Sequence, residues 1–346
     1  MAKPPEESRP IRRRRREEHD KRPPTSDDET PLAPVDGRTT IGDDVTEAIE
    51  PPPFSTRAAP SERERENKET TATPDEEALE APAIDDREPA ALGEKESPGA
   101  PVIAEDPSAR EVFPPDSRQL YTPTTVFPNR AVCQLLVKYP GTPAGKWWRG
   151  TGSLIGTRHV LTAGHVLCKL SEGGWAKFIN VIPGRDGATV WPYGSELLIW
   201  PNFKQRSVTG WSEDEDIDYD YGLITLNRGF SLDAFGLLYL SDDTLESTNA
   251  HLIGYPGDLP GNSPDKGYRQ YGVPTGGAVT DYDSTLVYYA MDTKPGQSGA
   301  GVYRWWNGKR AIFAVHGGQY DSDENRAARI TKARHDKIRG WQSQDA

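Results

Sequence analysis

From residue 112 onward, apolar positions come in short alternating runs or compact blocks, cut at intervals by glycine and proline. This pattern predicts strands at Ala131–Lys138, Ser153–Ile155, His159–Thr162, Phe178–Ile182, Gly222–Leu226, Ala250–Ile253, Leu286–Ala290 and Ala311–Val315. Regular turn signals between them point to a β-sandwich or barrel. Helical spacing occurs only near the end, over Ala327–Trp341, where Ile330, Ala333, Ile338 and Trp341 recur on one face. The strands divide into a set before about residue 230 and a set after it, consistent with two barrels. The two sets show no internal repeat.

Composition adds a second division. Residues 1–111 contain a single aromatic, Phe54, and many prolines, including the run at 51–53. They carry 17 Lys and Arg against 29 Asp and Glu, so the chain's whole formal charge of −12 belongs to them. Such a segment cannot bury enough apolar surface to offset the entropy of ordering, and a disordered arm is expected. Residues 112–346 are long enough for one sizeable core or two small packed halves.

Arg12–Arg16 form a basic run read as a solvated charge cluster, because Glu17 and Glu18 follow at once. The other reading is a nuclear-type address or anion patch. No apolar segment follows these arginines, as an export signal would require, and no stretch is apolar enough to span a membrane. Cys133 and Cys168 are the only cysteines; they suit either one disulfide or two buried thiols, and match no zinc spacing.

Three stretches carry candidate chemistry. In Asp292-Thr-Lys-Pro-Gly-Gln-Ser-Gly-Ala-Gly301, Ser298 sits between Gly296 and Gly299. This is either a tight turn or a nucleophile loop whose N–H groups face a developing oxyanion. In Thr162-Ala-Gly-His165, small residues keep bulk away from an imidazole at a strand end. In Asp214-Glu-Asp-Ile-Asp-Tyr-Asp-Tyr-Gly-Leu-Ile-Thr-Leu226, Asp220 is the last acid before the apolar run. A carboxylate there suits the Nδ1–H of a histidine. The acidic cluster also admits a solvated loop or a weak calcium site.

The order His165, Asp220, Ser298, within TAGH, DYGLI and GQSG, resembles the chymotrypsin-like serine proteases. The resemblance covers residues 112–346 and none of 1–111. It implies two packed six-stranded antiparallel β-barrels, the first over about 125–230 and the second over about 231–325, followed by the helix at about 327–341. It also implies a His165–Asp220–Ser298 triad with the N–H groups of Gly296 and Ser298 as the oxyanion hole. No cofactor or metal is implied. The partners expected are protein or peptide substrates, with no nucleic acid and no membrane, acting on a monomer. Secretion follows only by family analogy. Gly301 departs from the proline that many relatives place there, without touching the chemistry.

Within this fold the chain is most similar to bacterial glutamyl endopeptidases. Val112-Phe-Pro-Pro-Asp-Ser-Arg-Gln-Leu120 resembles their mature N-terminus, which makes residues 1–111 look like a propeptide. Thr293 and His316 match their specificity pocket, implying cleavage after Glu and less often Asp. A buried substrate carboxylate needs such donors. Against this stands Asp292, six residues before Ser298, where trypsin-like enzymes bind Arg or Lys. It would repel a substrate glutamate unless it turned away or held His316 charged. A rival of another class is an intracellular partner-binding module on a protease fold.

Overall fold

The computed structural model describes residues 112–321 and 324–345, together with three short backbone strands, Val45–Glu47, Glu69–Thr71 and Val102–Ala104. The expectations for the rest of residues 1–111, including the basic run and the disordered arm, lie outside the described residues.

Two large curled sheets dominate the described residues, beside one three-stranded and one two-stranded sheet. The first is nine-stranded and includes Glu69–Thr71 and Val102–Ala104 from the arm. Its remaining strands run in the spatial order Glu196–Ile199, Phe178–Pro183, Val132–Lys138, Lys146–Leu154, His159–Thr162, Gly222–Thr225 and Lys204–Val208, each antiparallel to its neighbour. The second is eight-stranded and includes Val45–Glu47. It runs Gly236–Leu240, Lys309–Gln319, Asn325–Arg329, Leu286–Tyr289, Gly277–Tyr282 and Asn249–Ala250, with Gly301–Trp306 on the other side of Lys309–Gln319. The pair Gly236–Leu240 and Lys309–Gln319 is parallel, so this sheet is mixed rather than purely antiparallel. The two curled sheets match the expected pair of barrels, and differ from it in detail by strand counts above six and by one parallel pair in each sheet.

Each curled sheet closes on its own apolar side chains, such as Leu135, Leu161, Val181 and Ile224 in the first and Val287, Val302, Phe313 and Ala327 in the second. The first core continues across the junction through Tyr255, Tyr303 and Ile312.

The C-terminal helix is Lys332–Gln344, later than expected, and the Thr331 side chain accepts from Arg334 N at its N-cap. Residues 327–329 instead complete the strand Asn325–Arg329, where Ala327 and Ala328 pair with His316 and Val315 and are buried. Sheet pairing on both sides overrides their helical spacing. The helix packs Trp341 against Tyr221, rings stacked 6.0 Å apart, and so ties the chain end to the first sheet. Cys133 and Cys168 are both free thiols and buried, and burial pushes Cys168 up to about 12.

Candidate active site

His165 lies in the short helix Gly164–Leu167, directly after the strand His159–Thr162. The glycine before it is a packing requirement, because a Cβ on Gly164 would strike the Trp211 indole. That indole lies edge-on to the His165 ring at 5.9 Å and fixes one face of it. Asp220 follows the 3₁₀ turn Ile217–Tyr219 and precedes the strand Gly222–Thr225, which pairs with His159–Thr162. The neighbouring strands therefore deliver the two side chains to one sheet end.

Asp220 Oδ2 lies 2.8 Å from His165 Nδ1, and Oδ1 accepts the His165 backbone N–H at 2.9 Å. The carboxylate is only 1% exposed. Burial alone pushes its pKa up, but the His165 imidazole and then the Arg326 guanidinium outweigh that and hold it below the usual carboxylate range. With Nδ1–H given to a carboxylate, Nε2 is the basic nitrogen of the ring.

The serine loop sits between the sheets. Thr151, on a central strand of the first sheet, donates its N–H to Ser298 O and its hydroxyl to Gly296 O, both at 2.7 Å. Gly299 N donates to His316 O at 2.8 Å, and His316 N to Ala300 O at 2.9 Å. Gly296 and Gly299 have φ of +102° and +83°, a region closed to most side chains. A Cβ on Gly299 would strike Thr162, so its absence lets the Ser298 loop press on the residues leading into His165. Among the described residues, the N–H groups of Gly296 and Ser298 have no acceptor. Ser298 Oγ likewise makes no hydrogen bond there.

Below the loop, Thr293 and His316 are both fully buried. Tyr289 Oη lies 2.6 Å from His316 Nδ1, and Thr293 Oγ1 has no partner among the described residues. Asp292 is the main surprise. Its carboxylate accepts from Phe113 N at 2.6 Å, from Ser117 N at 2.7 Å and from the Ser117 hydroxyl. Arg118, next in line, is clasped by Asp116 and Asp258, with its Nη2 2.9 and 2.6 Å from their carboxylates. The strand Gln119–Leu120 then pairs with Tyr271–Gly272. Val112, half-buried, thus begins a segment fastened beside Thr293. Tyr289, Ser117 and Trp211 play these parts without a sequence signal that singles them out. Among the described residues, no three His, Cys, Asp or Glu side chains gather to hold a metal ion.

No protein-family model matches the chain. A glutamyl endopeptidase of Bacillus licheniformis is 32% identical over 260 residues, spanning 72% of this chain and 73% of the relative. An extracellular metalloprotease of Bacillus subtilis (strain 168) is 32% identical over 238 residues, spanning 66% and 69%. A solved structure of Glu endopeptidase in complex with MPD superposes with a TM-score of 0.55 at 21% identity, covering 67% of this chain and all of that one. The chain belongs to the chymotrypsin-like serine proteases and is a serine endopeptidase. Within that class it is a homologue of glutamyl endopeptidase, and its substrates are proteins or peptides.

Proposed function

We propose that the enzyme cleaves peptide bonds after Glu, less often after Asp, through a His165–Asp220–Ser298 triad. Ser298 Oγ attacks the scissile carbonyl carbon while its proton passes to His165 Nε2. The N–H groups of Gly296 and Ser298 hold the resulting oxyanion. Its collapse breaks the C–N bond, and the Nε2 proton leaves with the amine. Water then attacks the acyl-enzyme by the same route and frees Ser298.

The observation that carries the specificity is the state of Asp292 beside Thr293. Asp292 already accepts three hydrogen bonds from residues 113–117, so it is not poised for a substrate Arg or Lys. Thr293 leaves a buried hydroxyl unmatched among the described residues, and a buried donor without an acceptor is unfavourable. A substrate carboxylate would satisfy it, with His316 as second donor. Digestion of a peptide library, read by mass spectrometry, tests this. Cuts after Glu that vanish in Ser298→Ala support it, cuts confined to Arg and Lys refute the specificity, and no cuts at all favour a binding module.

A further inference from the structure

The strand Lys309–Gln319 carries an irregularity beside the catalytic groups. His316 pairs with Ala327 and Gly318 with Arg326, leaving Gly317 as the extra residue of a bulge. Bulges next to active sites re-aim side chains. Here the bulge opens a space that the guanidinium of Arg326 enters. A Cβ on Gly317 would collide with Arg326 Nη1 and would stand 3.0 Å from Asp220 Oδ2. Arg326 Nη1 lies 4.0 Å from that same Oδ2, and its side chain is only 15% exposed. Nη1 has no hydrogen-bond partner among the described residues.

We infer that Arg326, admitted by the side-chain-free bulge at Gly317, is a positioning residue that holds Asp220 charged and in place behind His165. This rests on the triad proposed above. Asp220 is a carboxylate removed from water, and among the described residues its hydrogen bonds come only from the backbone and ring of His165. During acylation that ring takes a proton and must stay aligned, and an isolated buried charge is costly in any state of the ring. A cation fixed in the sheet near Oδ2, the oxygen that also faces His165 Nδ1, supplies a field that does not depend on the ring's position. At 4.0 Å the guanidinium acts through charge rather than a direct hydrogen bond. Lysine at 326 should therefore preserve much of the effect, whereas glutamine should not.

The test compares wild type, Arg326→Lys and Arg326→Gln in the full chain. Each is assayed for kcat and KM on a Glu-containing peptide, with kcat normalised to sites titrated by a fluorophosphonate. The expected result is a fall in kcat of about tenfold for Arg326→Gln, equivalent to about 1.4 kcal/mol in the barrier, at unchanged KM and with substantial recovery in Arg326→Lys. A merely structural role would lower the melting temperature and the titrated fraction but leave kcat per titrated site at the wild-type value; that outcome overturns the inference alone. Wild-type protein that gives no Ser298 adduct, or an Asp220→Asn variant of normal activity, would remove the triad and this inference with it.

Discussion

Asp292 Oδ2 and the backbone nitrogen of Ser117 lie 2.7 Å apart although 175 residues separate them. The carboxylate beside Thr293 is thus a fastening for the segment that starts at Val112. With the segment docked Asp292 is only 3% exposed, so the three donors of residues 113 and 117 take the place of water around its carboxylate. Asp292→Ala should release residues 112–117, seen as faster amide exchange at Phe113 and Ser117. It should also reduce kcat/KM for Glu peptides by at least about tenfold, the scale of a lost hydrogen bond to a charged group. If Asp292→Ala instead abolished cleavage after Arg and Lys while leaving Phe113 protected, Asp292 would be a pocket residue.

The acidic run before Gly222 offers two aspartates for one role, and the structure separates them. Asp220 touches His165, whereas Asp218 is half-buried in a different neighbourhood, its pKa raised by burial and then by Asp216 and Asp283. Asp220→Asn should lower kcat severely, by about 10⁴ as in other triads of this kind, through the wrong imidazole tautomer. Asp218→Asn should stay within a few-fold of wild type. Steady-state kinetics on the two variants decides the assignment, and a reversed order would overturn it.

Acid stability should report on the chain end. Asp345 accepts from Arg206, Lys204 and Thr225 in a site where its carboxylate is inaccessible. Burial pushes its pKa up, but Arg206 and then Lys204 prevail and pull it down to about 2. A depressed folded-state value means that the pairing contributes fully above the unfolded value of about 3.9 and is lost as pH falls toward about 2. Asp345→Asn should therefore melt lower than wild type at neutral pH, with the gap closing through that window. A gap that stayed constant from pH 7 to pH 2 would show that the charge is not what matters.

Much of this was readable in the chain because compact apolar blocks mark strands buried on both faces, as in Val132–Lys138 and Leu286–Tyr289. Lys204–Val208 lacks an apolar pattern because fully buried positions on it are Gln205 and Ser207, whose Nε2 and hydroxyl donate to Ala176 O and Tyr221 O. The turn joining Gly301–Trp306 to Lys309–Gln319 is Asn307-Gly308, both at positive φ, a conformation that suits two antiparallel strands. His165 and Asp220 announced themselves through flanking small residues and a loop-to-strand step. Arg326 and Ser117 did not, because a contact across the sheet leaves no trace in local spacing.

The last prediction concerns Glu111–Val112. Glu111 lies outside the described residues, but Phe113 is already bound to Asp292 in a chain that still carries residues 1–111. Docking of the segment thus does not require a free terminus at Val112, and cleavage would add one thing: an α-amino group, cationic below a pKa of about 7.7 to 8.0. Placed beside Thr293, that charge would favour a substrate carboxylate. A Glu-specific enzyme can make this cut itself, since the residue before Val112 is glutamate. N-terminal sequencing should find Val112 in active wild-type protein and an intact chain in Ser298→Ala. Adding a trace of active enzyme to the Ser298→Ala protein should then produce the Val112 terminus in trans. Full activity toward Glu peptides from an uncleaved chain would show that the α-amino group has no part in the pocket.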